Sequence, residues 1–498
     1  MKKRVSCRHQ LLLFWLLLFP FFAWAQPDAR QAYLADLKSI SRAFSGEYYP
    51  NYATIYALPE KVFIHKIDSA RQVFVAVLEQ HRQQLDQPFA DTQQTEIKYY
   101  FDKLLLEYPI SHAIYGDKAA AEASAIPERM AANLPDFNKP ELLKNSDFVN
   151  YAQTFFSYQI SRELRKSQYK NHDNKHLEAI WKLIPLYVQQ PACKDFWQYD
   201  YLYKHIDNDG INHIEPIYND FLRGCRDTAY TNPIKKLYAE DLAGRQGHLI
   251  QAYKTVGPYK LYIHLFGATN KADTRKPVMV YFHGGSWSEG KPDWFFPACE
   301  EYARKGWVAC AVEYRTYGRH GTLPFEAVKD ARSAIRWLRQ HGQQYGIDTS
   351  RIVASGNSAG GHLVLATALA DNWNEKTDNL HLSATPNVLL INAGVYDLTD
   401  ATTAWLRKDL ADKNQAREIS PLFLVRKQLP PTLVLHGTND RNVSYASAKR
   451  FVEEMRAAGN TTIEFHTLEG AGHFIWFDKR FGPEVSKFRQ DFLTKLGY

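Results

Sequence analysis

Ile352-Val353-Ala354-Ser355-Gly356-Asn357-Ser358-Ala359-Gly360-Gly361-His362-Leu363-Val364-Leu365 joins a short apolar run, a Gly-x-Ser-x-Gly pentapeptide and a second apolar run end to end. The first run, 352–354, reads as a strand; the second, within 359–370, reads as a helix. A serine between them sits on a tight strand-to-helix turn that lifts its hydroxyl above the edge of a sheet. Small flanking residues are needed because the backbones crowd there. The pentapeptide alone arises by chance. Bracketed by strand and helix, it marks Ser358 as a nucleophile.

A serine needs a base, and the base needs an acid that orients it. Downstream, His436-Gly437-Thr438-Asn439-Asp440 follows the apolar run 432–435, and Gly470-Ala471-Gly472-His473-Phe474 follows the run 462–466. Both motifs therefore lie in loops at the carboxyl ends of strands, where α/β sheets gather their reactive groups. The order Ser358, Asp440, His473 is the order this kind of turn calls for. Upstream, His283-Gly284-Gly285-Ser286-Trp287 follows the run 277–282. Its glycines let backbone N–H groups face a developing oxyanion, Gly285 first and Gly284 or Ser286 as a further donor, with Ala359 N–H completing the hole.

The remaining strand signals are 259–266, 308–312 and 388–391, and helical stretches at 324–345, 359–370 and 445–458 alternate with them. Apolar strands alternating with helices predict a mostly parallel sheet covered on both faces. Before this region the pattern is helical. Ile67, Ala70, Val73, Phe74 and Val77 recur at helical spacing, and similar patterns run through 99–107, 148–164, 177–188 and 214–222, with Asp173 and Asn174 as N-cap candidates before 177–188. The expected organisation is a leader at 1–25, an all-helical domain at 26–246 and a catalytic domain at 247–498. Aromatic residues are plentiful, as in Tyr99-Tyr100-Phe101 and Phe196-Trp197-Gln198-Tyr199, and read as core packing.

Residues 250–498 resemble the esterase branch of the α/β-hydrolases, close to the acetylxylan/feruloyl esterase-like enzymes and the hormone-sensitive-lipase group. The motifs at 283–287, 356–361, 436–440 and 470–474 carry that resemblance. Ser286 stands where the lipase group usually has a third glycine, which favours the acetylxylan/feruloyl-like side. The resemblance implies carboxylic-ester hydrolysis through an acyl-serine intermediate without a cofactor, on a small ester or an acyl ester of polysaccharide. A prolyl-oligopeptidase-like peptidase shares the triad order but usually carries a β-propeller, and a formamidase-like amide hydrolase stands between the two. A third possibility makes the helical domain a docking module for an envelope protein or glycan, with an accessory or inactive hydrolase attached. It faintly resembles helical segments that precede thioredoxin-like domains in envelope proteins, without their Cys-x-x-Cys.

Composition narrows the classes further. Lys2, Lys3, Arg4 and Arg8 precede an apolar run ending before Ala23-Trp24-Ala25, the layout of a cleavable secretory signal. Without those four cations the balance is 57 Lys and Arg against 54 Asp and Glu, too near neutral to suggest a nucleic-acid partner. Export allows Cys193 and Cys225 to pair or to remain thiols, and Cys310, inside an apolar run, reads as a buried thiol. No metal-ligand spacing appears among the cysteines. Several residues read as structural: His283 shapes the loop, His362 packs behind the nucleophile, His436 begins a turn and Asp397 caps a loop. Asp330 and Arg332 read as an ion-paired helix face. Residues 399–428 read as a candidate lid, with Trp405 and Leu406 toward the acyl site.

Overall fold

The computed structural model describes residues 29–169, 172–269, 275–400 and 414–498. The leader and the residues Trp405 and Leu406 lie outside the described residues. From Ala29 to Gly244 the described chain is helical, and no described helix is long and apolar enough to cross a membrane. The helix Glu60–His81 shows how the pattern folds. Phe63, Ile67, Phe74 and Leu78 form its buried stripe, whereas Val73, counted with the apolar face above, is half exposed. The helix Gln87–Leu106 starts well before the expected residue 99. Its first half is polar and carries no apolar rhythm, and the start is fixed by Asp86, whose carboxylate accepts the Phe89 N–H at 3.1 Å.

The aromatic residues do pack this half: Trp197, Tyr33, Tyr56 and Tyr151 are fully buried, and Tyr48 donates from its hydroxyl to that of Tyr56 at 2.7 Å. Cys193, Cys225, Cys299 and Cys310 are buried thiols with no bridge between them.

From Leu249 onward strands dominate. β1 (Leu249–Val256), β2 (Tyr259–Phe266), β3 (Lys276–Phe282), β4 (Val308–Val312), β5 (Ile347–Asn357), β6 (Val388–Asn392), β7 (Thr432–Gly437) and β8 (Ile463–Leu468) form one sheet in the order 1-2-4-3-5-6-7-8. β2 pairs antiparallel with both of its neighbours, β1 and β4, and every other pairing is parallel, so the sheet is mostly parallel, as expected. The helices Pro324–His341, Ala359–Leu369 and Tyr445–Ala457 cover one face, while Phe296–Arg304 and Gly482–Lys495 cover the other. β5 is central, which puts its carboxyl end at the middle of the reactive edge.

Two readings need correction. Asp330 and Arg332 are ion-paired, as read, but with other partners rather than along an exposed helix face, Arg332 pairing with Asp371 at 3.3 Å. Asp330 is fully buried and takes Lys254 Nζ of β1 at 2.7 Å and Arg315 Nη2 at 2.8 Å, while Arg332 donates to the carbonyls of Ala366 and Thr367. Asp173 and Asn174 do not cap the helix Lys175–Tyr187. Asn174 has φ 56° and its side chain makes no capping bond. Both side chains turn instead to Arg319, whose Nη2 donates to Asp173 Oδ2 at 2.9 Å and whose Nε donates to Asn174 Oδ1 at 3.3 Å. Asp173 is held from other sides as well, by the Asn174 N–H at Oδ1 (2.9 Å) and by His213 Nδ1 at Oδ2 (3.0 Å).

That pair belongs to a polar seam between the helical half and the sheet. Asp209, at the end of the helix Pro191–Asp209, is largely enclosed there with Oδ1 unpartnered. Burial pushes its carboxyl up to about 7, with Glu289 and Asp173 adding to the rise and Arg319 and Lys291 opposing it. Between about pH 4 and 7 the unfolded chain ionises this group and the folded chain does not, so its contribution to stability falls as pH rises through that window. Asp209→Asn removes the penalty. The melting temperature at pH 7.5 should rise, by roughly 2–4 kcal/mol of stability, and the gain should vanish near pH 4. Equal melting of variant and parent at both pH values would contradict this.

Candidate active site

β5 ends at Asn357 and the next helix begins at Ala359, leaving Ser358 alone between them. Its φ of 55° and ψ of −123° are strained for a residue with a side chain. The conformation is held on both sides: Ser358 N–H donates to Asn392 O of β6, and Ser358 O accepts from His362 N–H, each at 3.1 Å. The helix Ala359–Leu369 is buried along its whole length and directs its N-terminus, the positive end of its dipole, at the serine.

Asp440 lies beyond β7. Its side chain is wholly buried. Oδ1 accepts from the N–H groups of Asn442 and Val443 at 2.8 and 2.9 Å, and Oδ2 accepts from His473 Nδ1 at 2.8 Å. A further imidazole, His436 Nε2, approaches Oδ2 at 3.2 Å. Burial works against the charge, but the hydrogen bonds from His436, His473 and Val443 outweigh it and hold the carboxyl well below the usual carboxylate range. An acceptor at Nδ1 fixes the His473 tautomer with its proton there, leaving Nε2 as the base nitrogen. Ser358 and His473 line the same cavity, of about 660 Å³.

The loop after β3 forms another wall through Gly284, Gly285, Ser286 and Trp287. Gly285 has φ 96°, and a Cβ there would lie 2.1 Å from Glu289 O, so only glycine fits. The Gly284, Gly285 and Ala359 N–H groups have no acceptor among the described residues, whereas further along the loop the Ser288 and Glu289 N–H groups turn back to Gly285 O. Ser286, with φ 54°, sits exposed at the rim. Trp287 is pinned by its indole N–H, which donates to His362 Nδ1 at 3.2 Å, while His362 Nε2 donates to Ile419 O at 2.7 Å. His362 is thus packed behind Ser358. His283 is buried, which pushes it down to about 4, and its Nδ1–H closes on Gly284 O. Asp397 accepts from Thr399 N–H and Oγ1, capping its loop.

Sequence reasoning missed three features. His436 is not a turn residue: it lies within β7, one residue before the strand ends, and supplies the second imidazole on Asp440. Its spacing of four from Asp440 was the available signal. Trp294, Phe474, Trp476 and Phe477 wall the cavity mouth, with Phe474 and Phe477 largely exposed. Phe474, Trp476 and Phe477 share the loop after β8 and Trp294 comes from the short turn Pro292–Phe295, with no periodicity linking the two. Arg441 also lines the mouth, next in sequence to the acid.

Comparisons with known proteins agree with this architecture. Residues 265–455 match the BD-FAE family model. Esterase LipQ of Mycobacterium tuberculosis is 31% identical over 218 residues, 40% of this chain and 50% of that protein. Esterase LipC of the same organism is 29% identical over 213 residues, 40% of this chain and 52% of that protein. The chain thus spans about half the length of the curated relatives it matches. Among solved structures, the propionate-bound thermophilic esterase Est2 of Thermogutta terrifontis is 32% identical, with 51% of this chain and 96% of that chain covered and a TM-score of 0.47. On the strength of its sheet order, its serine turn and its sequence matches, the C-terminal half of this chain belongs to the esterase group of the α/β-hydrolases.

Proposed function

We propose that this protein hydrolyses carboxylic esters through an acyl-serine intermediate on Ser358. One observation carries the proposal: Ser358 shares a cavity with His473, and the other imidazole nitrogen of His473 is held by the buried Asp440. In the first step Ser358 Oγ bonds to the ester carbonyl carbon as its proton passes to His473 Nε2. The carbonyl oxygen becomes an oxyanion facing the N–H groups of Gly285 and Ala359, with Gly284 or Ser286 as a further donor. Collapse breaks the carbon–alkoxy bond, and His473 returns the proton to the departing alcohol. Water then repeats the sequence on the acyl-serine, releasing the acid and restoring Ser358. Asp440 remains ionised throughout and stabilises the imidazolium.

The favoured substrate is an acyl ester carried on a polysaccharide, or a related small ester. The exposed rings of Phe474 and Phe477 beside the cavity support this, because flat apolar faces suit stacking on a sugar or an aromatic acyl group. The leader-like first 25 residues support action outside the cytoplasm.

Two outcomes test the proposal. Against acetyl, butyryl and feruloyl esters and proline-containing peptide amides, the parent should turn over esters and Ser358→Ala should lose that activity. Ester turnover undiminished in the variant, or cleavage of the amides alone, would overturn it. Gly285→Ala should cost about a hundredfold or more in kcat, because its Cβ cannot coexist with Glu289 O and the loop that carries the donor must move. Unchanged kcat would remove Gly285 from the oxyanion hole.

A further inference from the structure

The helical half contributes no residue to the active-site cavity among the described residues, yet it grips the oxyanion loop from behind. Two grips are visible. At the loop's far end, Gly290 N–H donates at 2.9 Å to Asn208 O, in the last turn of the helix Pro191–Asp209, and the adjacent Lys291 Nζ donates at 3.1 Å to Ile206 O of that helix. In the middle of the loop, the carbonyls of Trp287 and Ser288 accept from the N–H groups of Tyr317 and Gly318 at 2.8 and 2.7 Å. Those donors belong to the short helix Tyr317–His320, which the helical half holds in turn. His176 Nδ1 donates to Gly318 O at 2.7 Å, and its ring packs on Tyr317. Arg319 is fixed between Asp173 and Glu313, and Asn212 donates to Glu313 at 3.0 Å.

We infer that the helical half is an intramolecular clamp that sets the position of the oxyanion loop, with Asp173 and His176 as its positioning residues. This rests on the esterase proposal above, and it gives residues 29–244 a part in catalysis without substrate contact. The physical basis is that an oxyanion hole stabilises charge only when its donors are preorganised at the right point. A loop with three positive-φ residues in succession, Gly285, Ser286 and Trp287, does not hold such a shape by itself. Its carbonyls and its closing N–H are fixed by partners, and those partners are anchored in the other half of the chain. Misplacement of about 1 Å costs up to a hundredfold in rate.

The test compares the full-length parent with Asp173→Asn, His176→Ala and His176→Asn, the last offering an amide N–H near the Nδ1 position. For ester hydrolysis, Asp173→Asn and His176→Ala should lower kcat by about ten- to a hundredfold with little change in KM. The inhibition constant of a trifluoromethyl ketone, whose hemiketal oxyanion needs the same donors, should rise by a matching factor. His176→Asn should recover most of both. Hydrogen–deuterium exchange over residues 284–291 provides a readout independent of turnover, and exchange there should speed up in the two weakened variants while the sheet core stays protected. Folded variants with parental kcat, parental ketone affinity and parental loop exchange would overturn the clamp. If the parent cleaves no ester, the esterase proposal fails separately, and loop exchange alone then decides whether the clamp exists: faster exchange supports it and unchanged exchange refutes it.

Discussion

The close approach of the helix Ala359–Leu369 to the end of β3 is the constraint on which the proposed catalytic edge depends. A Cβ at Gly360 would lie 2.0 Å from Phe282 O and 2.5 Å from His283 O, so the contact exists only with glycine. Docking at that distance does three things together. It confines Ser358 to the single strained residue between strand and helix, brings the Ala359 N–H to the reacting edge, and sets the loop that follows β3 beside the serine. The strain at Ser358 is sustained by β6 and by the first turn of the helix, both buried in the core. The placement of Ser358 and of the loop after β3 thus follows from one packing contact.

Electrostatics divide the buried acids into two kinds. Asp440 is surrounded by donors, two backbone N–H groups and two imidazoles, and remains charged although its side chain is out of solvent. Asp330 is similar, neutralised by Lys254 and Arg315 to tie the edge strand β1 to the helix beneath it. Asp209 has no comparable set and is pushed toward its neutral form. Ionic groups in this chain therefore serve the site, the edge of the sheet and the seam between the halves, while the two halves keep separate apolar cores.

The parallel part of the sheet was legible because its strands are buried on both faces and read as unbroken apolar runs. β1 was not. It reads Leu-Ile-Gln-Ala-Tyr-Lys-Thr-Val from Leu249, and its one buried charge, Lys254, is intelligible only once Asp330 is seen beneath it. The placement of Ser358, Asp440 and His473 at one edge of the sheet was legible because each follows a strand. The second imidazole on Asp440 and the aromatic rim were not, since they depend on loop geometry. Asp173 looked like a helix cap because its partner, Arg319, lies 146 residues away in sequence. Long-range ion pairs leave no local trace.

The central claim is that Ser358 is a nucleophile activated by its fold, and covalent labelling tests it most directly. A fluorophosphonate incubated with the folded protein should transfer one phosphonyl group, with loss of fluoride, to the peptide containing Ser358. His473→Ala and prior unfolding should each abolish that labelling. A folded protein that takes up no label at Ser358, or one whose labelling survives unfolding, would contradict the account.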